Sequence, residues 1–376
     1  MEKLIRITTI PSSLKAFCAG LLKELSNDYK VVAVSSPGLE LGEVGIAEGV
    51  WTIGVPMERH ISLLKDVRSL FRMIRVFRRL KPDMIHSMTP KAGLISMIAG
   101  WWTGVPVRIH TFTGLVWPTS TGLKRWVLKM TDRITCACAT HVIPEGEGVK
   151  SDLISGHITK KPLRVLGYGN VRGIDLNYYD RTPAVMAAAD EIRETGIFTF
   201  VFVGRIVRDK GINELVEAFV RLNEKYPNAR LLLVGRYEDS LDSISAAARA
   251  EIEKNDRIEA VGPQSDVRPY YAAADCFVFP SYREGFPNTV IEAGAMGLPS
   301  IVTDINGSRE IIKDGVNGLI IPSKDTAALY EAMEKMLTDD ALRSELASQA
   351  RGLIASRYEQ GFVRQCLKDF YREVLK

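Results

Sequence analysis

Short apolar runs in this chain alternate with stretches whose apolar residues recur every three or four positions. In the first half the runs are "LIRITT", "KVVAVS", "DMIHS", "VPVRIHT" and "THVIP". Helical patterns lie between them, such as Leu63, Val67, Leu70, Phe71, Ile74 and Phe77, the spacing of one helix face. In the second half "FTFVFVG", "RLLLVG", "IEAVG", "DCFVFP" and "LPSIVT" alternate with helices in the same way. This rhythm predicts an α/β fold with parallel sheets and right-handed crossovers. Two such series, joined near Gly173 to Tyr179, predict two Rossmann-like domains, 1–174 and 175–357, with their sheets facing a central cleft. Open parallel sheets bind ligands beyond the carboxyl ends of their strands. The loops after the strands are therefore where candidate chemistry is sought.

"FVGRIVRDKGINEL" leaves a strand and opens a helix. Gly204 ends the strand, Arg205 and Lys210 lie on the loop, and Gly211 precedes the helix. An arginine fork matches phosphate oxygens and a lysine adds a point charge. The helix start adds positive potential. Together they make a diphosphate clamp, against the alternative of two solvated loop cations.

"ADCFVFPS" reads as a buried strand and "YREGF" as the loop beyond it. Pro287 fits the first turn of the next helix, which Gly297 and Pro299 stop. Glu284 then sits on the loop and Glu292 in the second helical turn. Between them lie Gly285, Phe286, Pro287, Asn288 and Thr289, and all of these but the proline carry a backbone N–H that suits an anion. Carboxylates accept from hydroxyls, so two of them flanking an anion site point to a polyhydroxylated phosphate ester such as a nucleotide sugar. The plainer alternative is one surface acid and one helical glutamate.

"GRIVRDKG" (204–211), the stretch from "VGPQSDV" to "SIVTD" (261–304) and "GSREIIKDGVNGLIIP" (307–322) occur in order. In that combination the chain resembles the family 4 retaining glycosyltransferases of the GT-B fold, closely over 198–335 and loosely over the first half. The resemblance implies a nucleoside diphosphate sugar in the second domain, with a UDP-sugar favoured over GDP-mannose. Arg205 and Lys210 would grip the diphosphate, and Glu292 the ribose hydroxyls. Glu284 would contact the sugar, with backbone near Phe286 to Asn288 assisting, and backbone around Val261 and Gly262 would meet the base. It implies an acceptor in the first domain, and a last helix, 358–376, that returns to pack there. It implies front-face transfer driven by stabilising the departing diphosphate, without cofactor or metal. No Asp-x-Asp pair occurs in the chain.

His110, near the end of the strand "VRIHT", occupies a place where family members often carry a histidine near the donor sugar, and joins Glu284, Arg205 and Lys210 as a catalytic candidate. Thr113 lies in the loop that follows. "IHSMTPKAGL" is a second strand–loop–helix junction, whose His86, Thr89 and Lys91 are candidates for an acceptor phosphate. Where many relatives have a Gly-Gly loop after the first strand, this chain has Ser12, Ser13 and Lys15, which with Thr113 are further acceptor candidates. The "HSMTPKAG" stretch resembles that of bacterial capsule and O-antigen assembly transferases.

Charge adds one element. Residues 1–180 hold 24 Lys and Arg against 15 Asp and Glu, while the chain as a whole is only +4. In the stretch 60–82, which begins at His60, Arg68, Arg72, Arg75 and Arg79 share one helical face, with Leu64, Val67, Phe71 and Ile74 on a neighbouring stripe. Lys124, Arg125, Trp126 and Lys129 form a second basic and aromatic cluster. Basic amphipathic helices rest on anionic lipid. We therefore expect a cytoplasmic protein, peripheral on the inner membrane face, transferring a hexose or N-acetylhexosamine to a polyprenyl-diphosphate-linked saccharide. Five scattered cysteines fit reduced, buried thiols, and no apolar stretch is long enough to span a bilayer. Two rivals share these features: a non-hydrolysing sugar-nucleotide epimerase and a non-catalytic anion-binding module. No nucleic-acid motif is present, nor any G-x-G-x-x-G after a strand.

Overall fold

The computed structural model describes residues 1–58 and 62–376, with backbone alone at 240 and 241. The chain forms two compact units, Met1–Gly173 with Gly361–Lys376, and Ile174–Gln360. In the first, six parallel strands form one sheet: β1 (Lys3–Ile7), β2 (Lys30–Ser35), β3 (Trp51–Gly54), β4 (Met84–Met88), β5 (Val107–Phe112) and β6 (His141–Pro144). Their order is β3-β2-β1-β4-β5-β6. The second unit repeats the design with β7 (Phe198–Val203), β8 (Ala229–Val234), β9 (Ile258–Gly262), β10 (Cys276–Phe279), β11 (Ser300–Thr303) and β12 (Gly318–Ile321). Its order is β12-β11-β10-β7-β8-β9.

Each sheet reverses direction beside its first strand, between β1 and β4 and between β7 and β10. That reversal opens a crevice at the carboxyl ends, where doubly wound sheets take ligands. The edge strands β3 and β12 are not among the apolar runs of the sequence. Both are four residues long, and Trp51 and Gly54 at the ends of β3 are exposed.

Central strands are covered on both faces, so all five residues of β4 are buried although two are polar. One face of the first sheet is covered by helices Leu63–Leu80, Pro90–Thr103 and Gly122–Cys138. Close approach needs small residues: a Cβ on Gly100 would stand 2.5 Å from Ile85 Cδ1. The other face is covered by helices that include Pro11–Cys18 and Gln360–Val374, the latter through Leu367, Phe370 and Tyr371. In the second unit, helix Ile212–Lys225 buries Ile212, Leu215, Val216, Phe219 and Leu222, spaced as one helical face.

Candidate active site

The second unit's crevice is built from two loops that hold each other. After β7 the chain passes through Gly204 and a single 3-10 turn, Arg208–Lys210, to Gly211 at the start of helix Ile212–Lys225. After β10 it passes through Pro280 to Pro287. Gly211 has φ +72°, and a Cβ there would stand 2.1 Å from the Pro280 carbonyl oxygen, so only glycine lets the loops close. The Tyr282 N–H donates to the Asp209 carbonyl at 2.8 Å, and the Arg283 guanidinium donates to the Asp209 carboxylate at 2.9 Å.

At this junction the Lys210 ammonium donates to Glu284 Oε1. The Ser281 hydroxyl donates to the same oxygen at 2.7 Å. Both charged side chains are only 15% exposed, and the ammonium also lies 5.1 Å from the centre of the Phe279 ring. Arg205 turns elsewhere, donating to Glu238 at 2.6 Å, and Arg236 reaches the other Glu238 oxygen at 3.0 Å. Burial works to raise the Glu238 pKa, but the hydrogen bond and charge of Arg205, with Arg236, outweigh it and hold it low. The two candidate clamp cations therefore each have a carboxylate partner, and not a shared one. Ser281, Glu238 and Arg236 were absent from the sequence candidates. Their one signal is position: each follows the end of a strand.

Helix Asn288–Ala295 begins one residue later than its sequence suggests, with Pro287 as the residue before the first turn. Its start has no side-chain cap, leaving backbone N–H groups directed beyond the helix end. Gly307 presses on the approach to it: a Cβ there would lie 2.5 Å from the Gly285 carbonyl oxygen and 2.7 Å from Pro287 Cδ. The Phe286 ring is buried edge-on to Tyr358 at 5.5 Å, so only its backbone faces the crevice loop. Glu292 is buried and accepts from the Tyr271 hydroxyl at 3.3 Å. That hydroxyl also lies 3.3 Å from the carbonyl of Thr289. Val261 and Gly262 end the edge strand β9, with the Gly262 carbonyl accepting from the Gly235 N–H at 3.0 Å.

In the first unit two histidine assignments need correction. His110 lies two residues inside β5 and is 1% exposed. Its Nδ1 pairs with the Ser87 hydroxyl at 2.8 Å, and a Cβ on Gly93 would stand 2.3 Å from its Cε1. Burial lowers its pKa to about 3. It is a neutral core histidine, walled from ligand by the helix above it. His86 is likewise a core residue and not an acceptor contact. Its Nδ1 meets the Tyr371 hydroxyl at 2.5 Å and Arg6 Nη1 at 2.6 Å, and its Nε2 meets the Thr111 hydroxyl at 2.7 Å. Burial and then the Arg6 charge push its pKa well below the usual histidine range. Both histidines lie on strands covered on both faces, where polar alternation does not mean exposure.

The remaining acceptor candidates sit at the carboxyl edge of that sheet. Thr89 has φ +74°, unusual for a β-branched residue. Its hydroxyl accepts from the Thr9 N–H at 3.1 Å and meets the Thr9 hydroxyl at 2.8 Å. Thr9 in turn accepts from the Ala92 N–H at 3.3 Å, so the loops after β1 and β4 are joined across the crevice. Lys91 pairs with Asp66 at 2.7 Å. Ser12 is exposed and Ser13 half-buried in the first turn after β1. Lys15 makes an exposed pair with Glu43, and Thr113 is half-buried just past β5. Thr9 was missed in the sequence. The basic helix runs Leu63–Leu80, and His60 lies outside the described residues.

Two doubly wound units, one with cation–carboxylate pairs and an uncapped helix start at its crevice, make up the GT-B architecture. The family model for glycosyl transferases group 1 matches residues 189–353, and that for the glycosyl transferase 4-like domain matches 15–169. The chain is 31% identical over 376 residues to the capsular polysaccharide biosynthesis glycosyltransferase CapM of Staphylococcus aureus, covering 100% of this chain and 98% of that protein. It is 26% identical to the UDP-Gal:alpha-D-GlcNAc-diphosphoundecaprenol alpha-1,3-galactosyltransferase of Escherichia coli, covering 84% of this chain and 82% of that one. The fold matches Anabaena HepE in complex with UDP at a TM-score of 0.82 and 16% identity, over 99% of this chain and all of that one. The chain belongs to the family 4 type of GT-B glycosyltransferases.

Proposed function

We propose that the protein is a retaining glycosyltransferase that moves a hexose or N-acetylhexosamine from a UDP-sugar to a polyprenyl-diphosphate-linked saccharide, working without a metal at the inner membrane face. The observation that carries the proposal is the Lys210–Glu284 pair at the crevice of the second unit. A diphosphate and the sugar bonded to it are adjacent in a donor, so one cation and one carboxylate in contact suit that junction. Glu292, beside Tyr271, takes the ribose hydroxyls, and the start of helix Asn288–Ala295 faces a phosphate. In the transfer step the bond between the sugar's anomeric carbon and the β-phosphate oxygen breaks. The acceptor oxygen bonds to that carbon on the same face, and its proton passes to the departing diphosphate. Lys210 and Arg205 stabilise the charge that develops there, which is the main lever open to such a site.

The names of two relatives support the choice of donor and acceptor. The Escherichia coli enzyme uses a UDP-sugar and a diphosphoundecaprenol-linked sugar. A Campylobacter jejuni relative, 24% identical, is an N-acetylgalactosaminyltransferase acting on a diphospho-undecaprenol-linked sugar. A panel of nucleotide sugars in a thermal-shift assay tests the donor, because bound ligand raises stability by mass action. Transfer from the stabilising donor onto a lipid-linked saccharide, with the product anomer read by NMR, tests the rest. Stabilisation by GDP-mannose alone, or an inverted anomer, defeats the proposal.

A further inference from the structure

Three helices lie side by side on the first unit's sheet, Pro90–Thr103 between Leu63–Leu80 and Gly122–Cys138. Each follows a parallel strand, so each begins at the carboxyl edge, the edge that carries Thr89 and Lys91. Among the described residues, no helix is long and apolar enough to cross a membrane.

The outer helix Leu63–Leu80 spends only part of its apolar residues on the core. Ser69, Met73, Ile74 and Phe77 face inward. Leu64 and Phe71 are 80% and 62% exposed, and Val67 is exposed beside them. Arg68, Arg72 and Arg75 share this outward face. The nearest acids are taken, Asp66 by Lys91 and Glu58 by Lys65. On the far side of Pro90–Thr103, the first turn of Gly122–Cys138 repeats the arrangement. Leu123 and Trp126 are 76% and 58% exposed, with Lys124 and Arg125 exposed between them.

We propose that the outward face of Leu63–Leu80 over residues 64–75 and the first turn of Gly122–Cys138 are a paired foothold on an anionic lipid bilayer, set on either side of the helix that the Thr89–Lys91 loop opens. The proposal rests on the reading of the acceptor as lipid-linked and names the surface through which it is met. Single exposed apolar residues need no explanation, but grouped ones rimmed by charge mark a contact surface. Charge complementarity selects the occupant. Arginine and lysine whose nearest acids are already paired favour anionic headgroups, while leucine and aromatic side chains among them enter the boundary with the acyl chains. An RNA would use the cations and leave Leu64 and Phe71 in water. With both footholds seated, the acceptor loop between them faces the headgroup layer, where a membrane-anchored diphosphate stands.

Sedimentation with vesicles of phosphatidylglycerol and phosphatidylcholine in equal parts, compared with phosphatidylcholine alone, tests this. The wild type is expected to sediment with the mixed vesicles only, and to be released by salt. The variant Phe71→Ser/Trp126→Ser should lose at least about tenfold in vesicle affinity, with its melting temperature and its thermal shift with UDP unchanged. Arg72→Gln/Arg75→Gln should be released at lower salt than the wild type. Equal sedimentation of the Phe71/Trp126 variant, no sedimentation of the wild type, or retention of RNA in place of vesicles overturns the proposal. Loss of the glycosyltransferase reading shows separately, as no thermal shift with any nucleotide sugar.

Discussion

The Lys210 ammonium and the Glu284 carboxylate, 74 residues apart in sequence, hold each other where the loops after β7 and β10 meet. The Ser281 hydroxyl fixes the carboxylate from a second side. Neither group has to be ordered when a donor arrives. In the proposed transfer, charge that develops on the leaving diphosphate would meet a cation already in place, which is how a fixed site lowers a barrier.

Replacing Lys210 should separate two effects. Lys210→Ala is expected to lower kcat/KM at least tenfold, a loss of more than about 1.4 kcal/mol in the transition state. It also strands Glu284 in a largely buried place, at a cost of about 2 kcal/mol in stability. Adding Glu284→Gln should recover much of that stability in urea denaturation without recovering the rate. Arg205→Ala should show a similar rate loss with a smaller change in stability, since the Arg205 side chain is half exposed and Arg236 still pairs with the largely buried Glu238. Turnover near wild type in both single variants would remove the clamp assignment.

Glu292 and Tyr271 give a graded test of the nucleotide end. Glu292→Ala should weaken UDP binding about tenfold in calorimetry, the scale of one lost charge-assisted hydrogen bond. Tyr271→Phe should weaken it less, because its hydroxyl orients the carboxylate from 3.3 Å and does not replace it. Unchanged affinity in Glu292→Ala contradicts the ribose contact.

The glycines predict a contrast. Gly211 and Gly297 have similar backbone angles, φ +72° and +78°, but only Gly211 has an atom within reach of an added Cβ. Gly297→Ala should cost about 1 kcal/mol, the strain of a left-handed alanine. Gly211→Ala adds a backbone collision and should cost several times that, or prevent folding of the second unit. Equal melting temperatures for the two would mean the loops close by another route.

Histidine burial sets an acid limit. The folded pKa of His110 lies at about 3, below the unfolded value near 6.5. The stability associated with its neutral form is therefore present above that unfolded value, and is lost as pH falls through the interval toward 3. At pH 5 the loss from one such histidine is up to about 2 kcal/mol. His86 is shifted the same way. Thermal melts at pH 7 and pH 5 should show the drop, and the rate profile should carry no limb from His110 titration. A stability that rises on acidification over this range would contradict the assignment.

The loops after β7 and β10 were legible because their polar residues sit at strand ends, where "GR", "DKG" and "REGFPN" stand out from the apolar runs. The partners of those residues were not. Glu238 is 33 residues from Arg205 and Glu284 is 74 from Lys210, and no local pattern joins them. His86 and His110 misled for a physical reason: in a strand covered on both faces, a histidine between apolar residues points into another layer and not into solvent. The apolar spacing in 63–80 marks a stripe, but which side of it has a neighbour depends on how Pro90–Thr103 packs. Leu70 and Ile74 lie on the sheltered side of that boundary, and Leu64 and Phe71 do not.

Tyr371 closes the buried triangle with Arg6 and His86, and those three residues come from a strand near the start of the chain, a second strand, and the returning last helix. The first unit is thus written in two pieces with the whole second unit between them. On the ribosome, the order of completion is the reverse of the order of writing. Residues 174–360 form a self-contained stretch that can finish as soon as it emerges. The first unit holds Arg6 without its hydroxyl partner until residue 371 has been made.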